Sequence, residues 1–182
     1  MLFADCASAA QPAFMCCGAG EARMEVYILN EGNMRHKKIV LVSTDNTTLS
    51  IMAEAVMKTV LRQDREVISR GLVVLFPEPL NPKAVAVLKG NQMEPAKEKS
   101  EPLTAEDLEG GGVLVLTMTE TECNEVRARY GESKADIYPL GVFANKPGDI
   151  VVPHGGSLAD YGACYEYIDL VVKMAAEIIS GE

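Results

Sequence analysis

Ser43, Thr44, Asp45, Asn46, Thr47, Thr48 and Ser50 put six hydroxyl or amide side chains and one carboxylate into eight consecutive positions. The apolar run Ile39-Val40-Leu41-Val42 precedes them, and Ile51-Met52-Ala53-Glu54-Ala55 follows. That order reads as a buried strand, a short polar loop and the start of a helix. Such a loop gathers backbone N–H groups at a helix N-terminus, which makes an anion-binding nest. The nest is shaped for phosphate, yet no cysteine stands at its start and no arginine at its end. Thr44, Thr47 and Thr48 with Asp45 also make a polar, acidic mouth that could accept a cation or an amine. Against this, hydroxyl side chains at a helix start are common caps.

Alternating strand and helix signals supply the frame for this loop. Lys38–Val42 reads as a central strand and Ser50–Gln63 as a helix, with apolar residues at Ile51, Ala55, Val56, Val60 and Leu61. Glu66–Ser69 reads as a second strand. Asn81 followed by Pro82 reads as a cap with proline in the first turn, its helix running to about Lys89. A further helix is expected from Thr104, with Asp107 in the capping-box position. Val113–Met118 is a buried strand, Thr119–Tyr130 a helix, Asp136–Pro139 the last strand, 147–156 a loop and Leu158–Ile179 the final helix. This alternation belongs to an α/β protein with a parallel sheet covered on both faces. In such sheets ligands bind at the C-terminal ends of strands, where Ser43 falls.

Composition narrows the class. At 182 residues, with 48% hydrophobic and 24% charged residues, the chain has room for one domain with a full core. The expected division is a poorly structured N-terminal extension over 1–36 and one domain over 37–182. A net charge of −9 argues against nucleic acid and against an anionic membrane surface. No apolar run has the length of a membrane span. Cys6, Cys16, Cys17, Cys123 and Cys164 are odd in number and form no C-x-x-C pair, which fits a reducing, cytoplasmic setting. His36 and His154 lie at no metal-ligand spacing, so neither a metal nor a cofactor is expected. Cys16-Cys17 reads as an acylation or metal site, or as part of a leader upstream of a start at Met24 or Met34; the second reading is preferred.

Several ordered segments resemble the low-molecular-weight protein tyrosine phosphatase family, which includes bacterial protein-arginine phosphatases. Val42 to Ala55 resembles its V-C-x-G-N-x-C-R-S-P-M-A-E-A, Ser69-Arg70-Gly71 its S-A-G, and Asn81-Pro82-Lys83-Ala84-Val85 its N-P-x-A-V. Leu103 to Glu109 and Leu114 to Thr119 resemble the helix and strand that come next. Asp149 to Ser157 resembles the closing acid loop, D-x-x-D-P-x-G-G-S. The resemblance covers about 37–179. It implies a flavodoxin-like three-layer sandwich with a four-stranded parallel sheet. It also implies a mechanism in which a cysteine thiolate attacks phosphorus, an arginine clamps the phosphoryl oxygens and an aspartic acid protonates the leaving group.

Carried over by position, the nucleophile is Ser43, the clamp Leu49 and the acid Val152. A serine hydroxyl titrates far above a nest-stabilised thiolate and needs a base. Leucine offers neither charge nor donor, and valine has no proton to give. Asp149 matches a different family aspartate, and Asp45 stands where the family has glycine. Asn46 and Ser50 match residues that shape the loop by hydrogen bonding, or serve simply as helix-start residues. Loss of one transition-state donor costs about 10²–10³ in rate, and general acid catalysis contributes roughly 10²–10⁴. The expectation is therefore a pseudophosphatase kept for binding or regulation, with a phosphoprotein, a kinase or another member of the same phosphorylation system as partner. The alternative is a phosphohydrolase on phosphotyrosine- or phosphoarginine-type substrates that uses Ser43 or relocated chemistry.

Overall fold

The computed structural model describes residues 36–61 and 65–181. The expected extension over 1–36 lies outside the described residues except for His36, and Cys6, Cys16 and Cys17 fall there too. Four parallel strands, β1 (Lys38–Ser43), β2 (Glu66–Gly71), β3 (Val113–Thr117) and β4 (Asp136–Pro139), form one sheet in the order β2-β1-β3-β4. β1 pairs on both sides, Leu41 lying opposite Ser69 of β2 and Leu116 of β3. This central place explains its unbroken apolar run, because both of its faces are covered. Ile39 and Leu41 join the larger core, and Val40 and Val42 join the smaller one on the other face.

Helices α1 (Leu49–Leu61), α2 (Pro82–Gly90), α4 (Leu140–Phe143) and α5 (Leu158–Ser180) pack together with the larger core. On the other face lie α3 (Glu120–Tyr130) and a 3-10 turn at Glu106–Leu108, which contribute Cys123, Val126 and Leu108. The result is the three-layer α/β sandwich that the resemblance implies.

Four expectations need correction. The helix expected from Thr104 is only that 3-10 turn. Thr104 does donate its N–H and hydroxyl to Asp107 (both 3.1 Å), but the same carboxylate oxygen is held by Arg70 at 3.0 Å, and Gly110-Gly111-Gly112 follow at once. α4 was unforeseen, since four residues carry no readable periodicity. Capping boxes form instead at Thr119 with Glu122, which opens α3, and at Ser157 with Asp160, which opens α5. Val60, expected on the apolar face of α1, is 36% exposed, whereas Met52, Ala53 and Met57 are buried. The expected end of α1 at Gln63 lies outside the described residues.

Candidate functional site

The polar loop leaves β1 at Ser43 and enters α1 at Leu49, at the C-terminal edge of the central strand. Ser43 is 3% exposed. Its Oγ lies 2.7 Å from Ser50 Oγ and accepts the Asn46 N–H at 3.2 Å. Among the described residues no histidine or carboxylate reaches it, so no general base stands ready to activate the hydroxyl. Leu49 is buried within the larger core, and Val152 is half-buried against that core. Neither side chain can bind a phosphoryl oxygen or transfer a proton.

The loop's form is held by a polar chain that runs beneath it. Asn46 has φ of 55° and is fully buried. A left-handed backbone is tolerated by asparagine better than by most residues. Its side-chain amide donates to Ser50 Oγ and Ser69 Oγ, both at 2.9 Å, and its Oδ1 accepts the Glu101 N–H at 2.9 Å. Ser69 in turn donates to the buried Glu54 at 2.5 Å, and Glu54 meets Lys58 at 2.7 Å. Asn46 and Ser50 therefore both shape the loop.

The acidic mouth is closed on itself. Asp45 accepts the Thr47 N–H at 3.0 Å through Oδ1 and the Thr47 hydroxyl at 2.8 Å through Oδ2. Thr48 is buried, its hydroxyl 3.3 Å from that of Thr47. Thr44 is exposed and donates to Glu122 at 2.7 Å. The other Glu122 oxygen accepts the N–H groups of Met118 and Thr119. Asp149 accepts the Glu120 N–H at 2.9 Å, which makes it a cap on α3. His154 is exposed, and its backbone N–H bonds Val152 O. Among the described residues no group of three or more His, Cys, Asp or Glu could hold a metal. Burial pushes the thiols of Cys123 and Cys164 up, away from reactive thiolates.

Sequence reasoning missed Glu54, Ser69, Glu101 and Glu122 as parts of this site. Glu122 carried a signal, the Thr119-x-x-Glu122 capping box. Glu54 and Ser69 lie inside quoted motifs, but nothing local says that they meet. A cleft of about 890 Å³ lies elsewhere, between the 3-10 turn and the end of α3, and no loop residue lines it.

This fold is that of a family of small α/β phosphatases. A family model described as low molecular weight phosphotyrosine protein phosphatase matches residues 38–180, and the chain belongs to that family. It is 33% identical over 132 residues to the low molecular weight protein-tyrosine-phosphatase PtpB of Staphylococcus haemolyticus (strain JCSC1435), spanning 72% of this chain and 91% of that one. It is 27% identical over 143 residues to the protein-arginine-phosphatase of Bacillus subtilis (strain 168), spanning 76% and 94%. Among solved structures it resembles the YwlE arginine phosphatase from Geobacillus stearothermophilus, with a TM-score of 0.69 and 29% identity over 77% of this chain and 90% of that one. It also resembles a YwlE arginine phosphatase mutant with a phosphorylated active site serine, with a TM-score of 0.68 and 28% identity over 77% and 93%. No helix among the described residues is long and apolar enough to cross a membrane.

Proposed function

We propose that this chain is a pseudophosphatase: a family scaffold that has lost phosphatase chemistry and is kept as a binding or regulatory protein. The observation that carries the reading is the joint presence of Ser43, Leu49 and Val152 at the nucleophile, clamp and acid positions, with the loop's shape kept by the Asn46 hydrogen bonds. Each substitution removes a separate requirement of the family reaction. Their effects are not additive, but without thiolate, guanidinium and acid nothing is left to attack phosphorus, hold its oxygens or protonate the leaving group. The partner is a protein of the same phosphorylation system, a phosphoprotein or a kinase, met in the cytoplasm.

A second reading has one observation in its favour. The solved YwlE mutant carries a phosphorylated active site serine, so a serine in a related active site can hold a phosphoryl group. On that reading Ser43 serves an active phosphohydrolase on phosphotyrosine- or phosphoarginine-type substrates. The buried Leu49 and the lack of a base near Ser43 weigh against it.

Turnover of p-nitrophenyl phosphate separates the two. The native chain and Ser43→Ala are expected to be equally silent. The triple variant Ser43→Cys/Leu49→Arg/Val152→Asp is expected to gain measurable hydrolysis. Native turnover that disappears in Ser43→Ala would overturn the pseudophosphatase reading.

A further inference from the structure

We infer that Asp45 is the loop's own anion: its carboxylate takes one backbone donor of the nest and the hydroxyl beside it, and so competes from within with a phosphoryl group for the loop. The inference deepens the pseudophosphatase reading and rests on it. The two Asp45 oxygens take the Thr47 N–H and the Thr47 hydroxyl, at 3.0 and 2.8 Å. One is a backbone donor of the nest, and the other is a side-chain donor beside it. This is how two oxygens of one phosphoryl group would be shared between neighbouring donors. The Asn46 N–H is also spent internally, on Ser43 Oγ at 3.2 Å.

Charge acts in the same direction. Glu122 stands on the other side of the loop, 2.7 Å from the Thr44 hydroxyl, and is itself buried. Among the described residues neither Asp45 nor Glu122 belongs to an ion pair. With Leu49 in place of a guanidinium, an entering phosphate meets two carboxylates and no cation from the loop. The partner is then recognised without a phosphoryl group entering the loop, which favours an unphosphorylated protein surface over a phosphorylated side chain.

The test is binding of inorganic phosphate, without turnover, to the full chain and to Asp45→Gly and Asp45→Asn. The chain has no tryptophan, so calorimetry or phosphorus NMR is the readout, with circular dichroism as the check on folding. Asp45→Gly frees the donors and removes the charge. It is expected to bind phosphate saturably, about tenfold or more tighter than the native chain, the worth of one charge-assisted hydrogen bond. Asp45→Asn keeps an acceptor for Thr47 and loses only the charge, so it is expected to fall between the two, and it serves alone should the glycine variant not fold. Native binding within about twofold of both variants, or no saturable binding in any of the three, would overturn the inference. Hydrolysis of p-nitrophenyl phosphate dependent on Ser43 would instead sink the pseudophosphatase reading, whatever the phosphate affinities.

Discussion

Ser69 Oγ sits 2.5 Å from Glu54 Oε2, so a hydroxyl on β2 donates to a carboxylate on α1 that is 2% exposed. The same carboxylate meets Lys58, one turn further along the helix, through its other oxygen. Lys58 carries the chain out to solvent, its side chain being 43% exposed. A buried charge thus underlies the candidate site, and its only cation among the described residues stands half in water.

Removing that cation is expected to cost more than a surface substitution does. Lys58→Ala should destabilise by about 1–3 kcal/mol, because it strands a buried carboxylate. Adding Glu54→Gln to it should recover part of the loss, since the stranded charge is then gone. Urea unfolding of the single and double variants checks this. A Lys58→Ala value within about 0.5 kcal/mol of the native chain would deny the pair any structural weight.

The Asn46 side chain has three hydrogen-bonded partners, and the residue has a positive φ. Asn46→Ala should cost about 2–4 kcal/mol, from stranded polar groups and a left-handed backbone that alanine resists. Asn46→Gly loses the same bonds without the backbone strain, so it should be the milder variant. Equal unfolding midpoints for the two would show that the backbone conformation contributes nothing.

Gly71 ends β2 against the loop. A Cβ there would lie 3.0 Å from Asn46 Cβ and 3.1 Å from the Asp45 carbonyl carbon, and would clash with the Val74 side chain. Gly71→Ala is expected to destabilise by about 1–3 kcal/mol through overpacking. Thermal unfolding is the measurement, and an unchanged midpoint would mean that the 72–74 segment yields freely.

Asp107 makes a pH prediction. Burial pushes its carboxyl up, but the Arg70 hydrogen bond, the Thr104 N–H and the Arg70 charge outweigh burial and hold it below its ordinary value of 3.8. A lowered folded-state value means stability that is fully present above the unfolded value and lost as pH falls through the folded one. Native stability should therefore drop as acid is added below about pH 4, and Asp107→Asn should flatten that limb. Superimposable profiles from about pH 6 to about pH 2.5 would exclude Asp107 as a source of the acid response.

The elements that follow a strong period were legible from the residues. β4 lies where expected, and β1 and β3 lie within one residue of it, because compact apolar runs admit few other places in a parallel sheet. α2 was legible from its Asn81-Pro82 cap, and α5 lies within one residue of the expected helix over 158–179. That only a 3-10 turn forms after Thr104 was not legible, because Asp107 answers to Arg70, which is 37 positions away. The site divides in the same way. Which residues occupy the loop could be read directly. The turn of Asp45 onto Thr47 is a local contact over two positions, whereas that Ser69 finds Glu54 across 15 positions depends on how a strand and a helix meet, and no local pattern encodes it.

β1 is bonded along both edges and covered on both faces, which makes it the segment expected to exchange its amide hydrogens last. The loop springs from this strand and runs directly into α1, buried from Leu49 to Met57. Its two ends are thus moored to the slowest-opening parts of the molecule. Such a loop is a mould rather than a flap: a ligand must match it as it stands, and adjustment on binding falls to the segments around it.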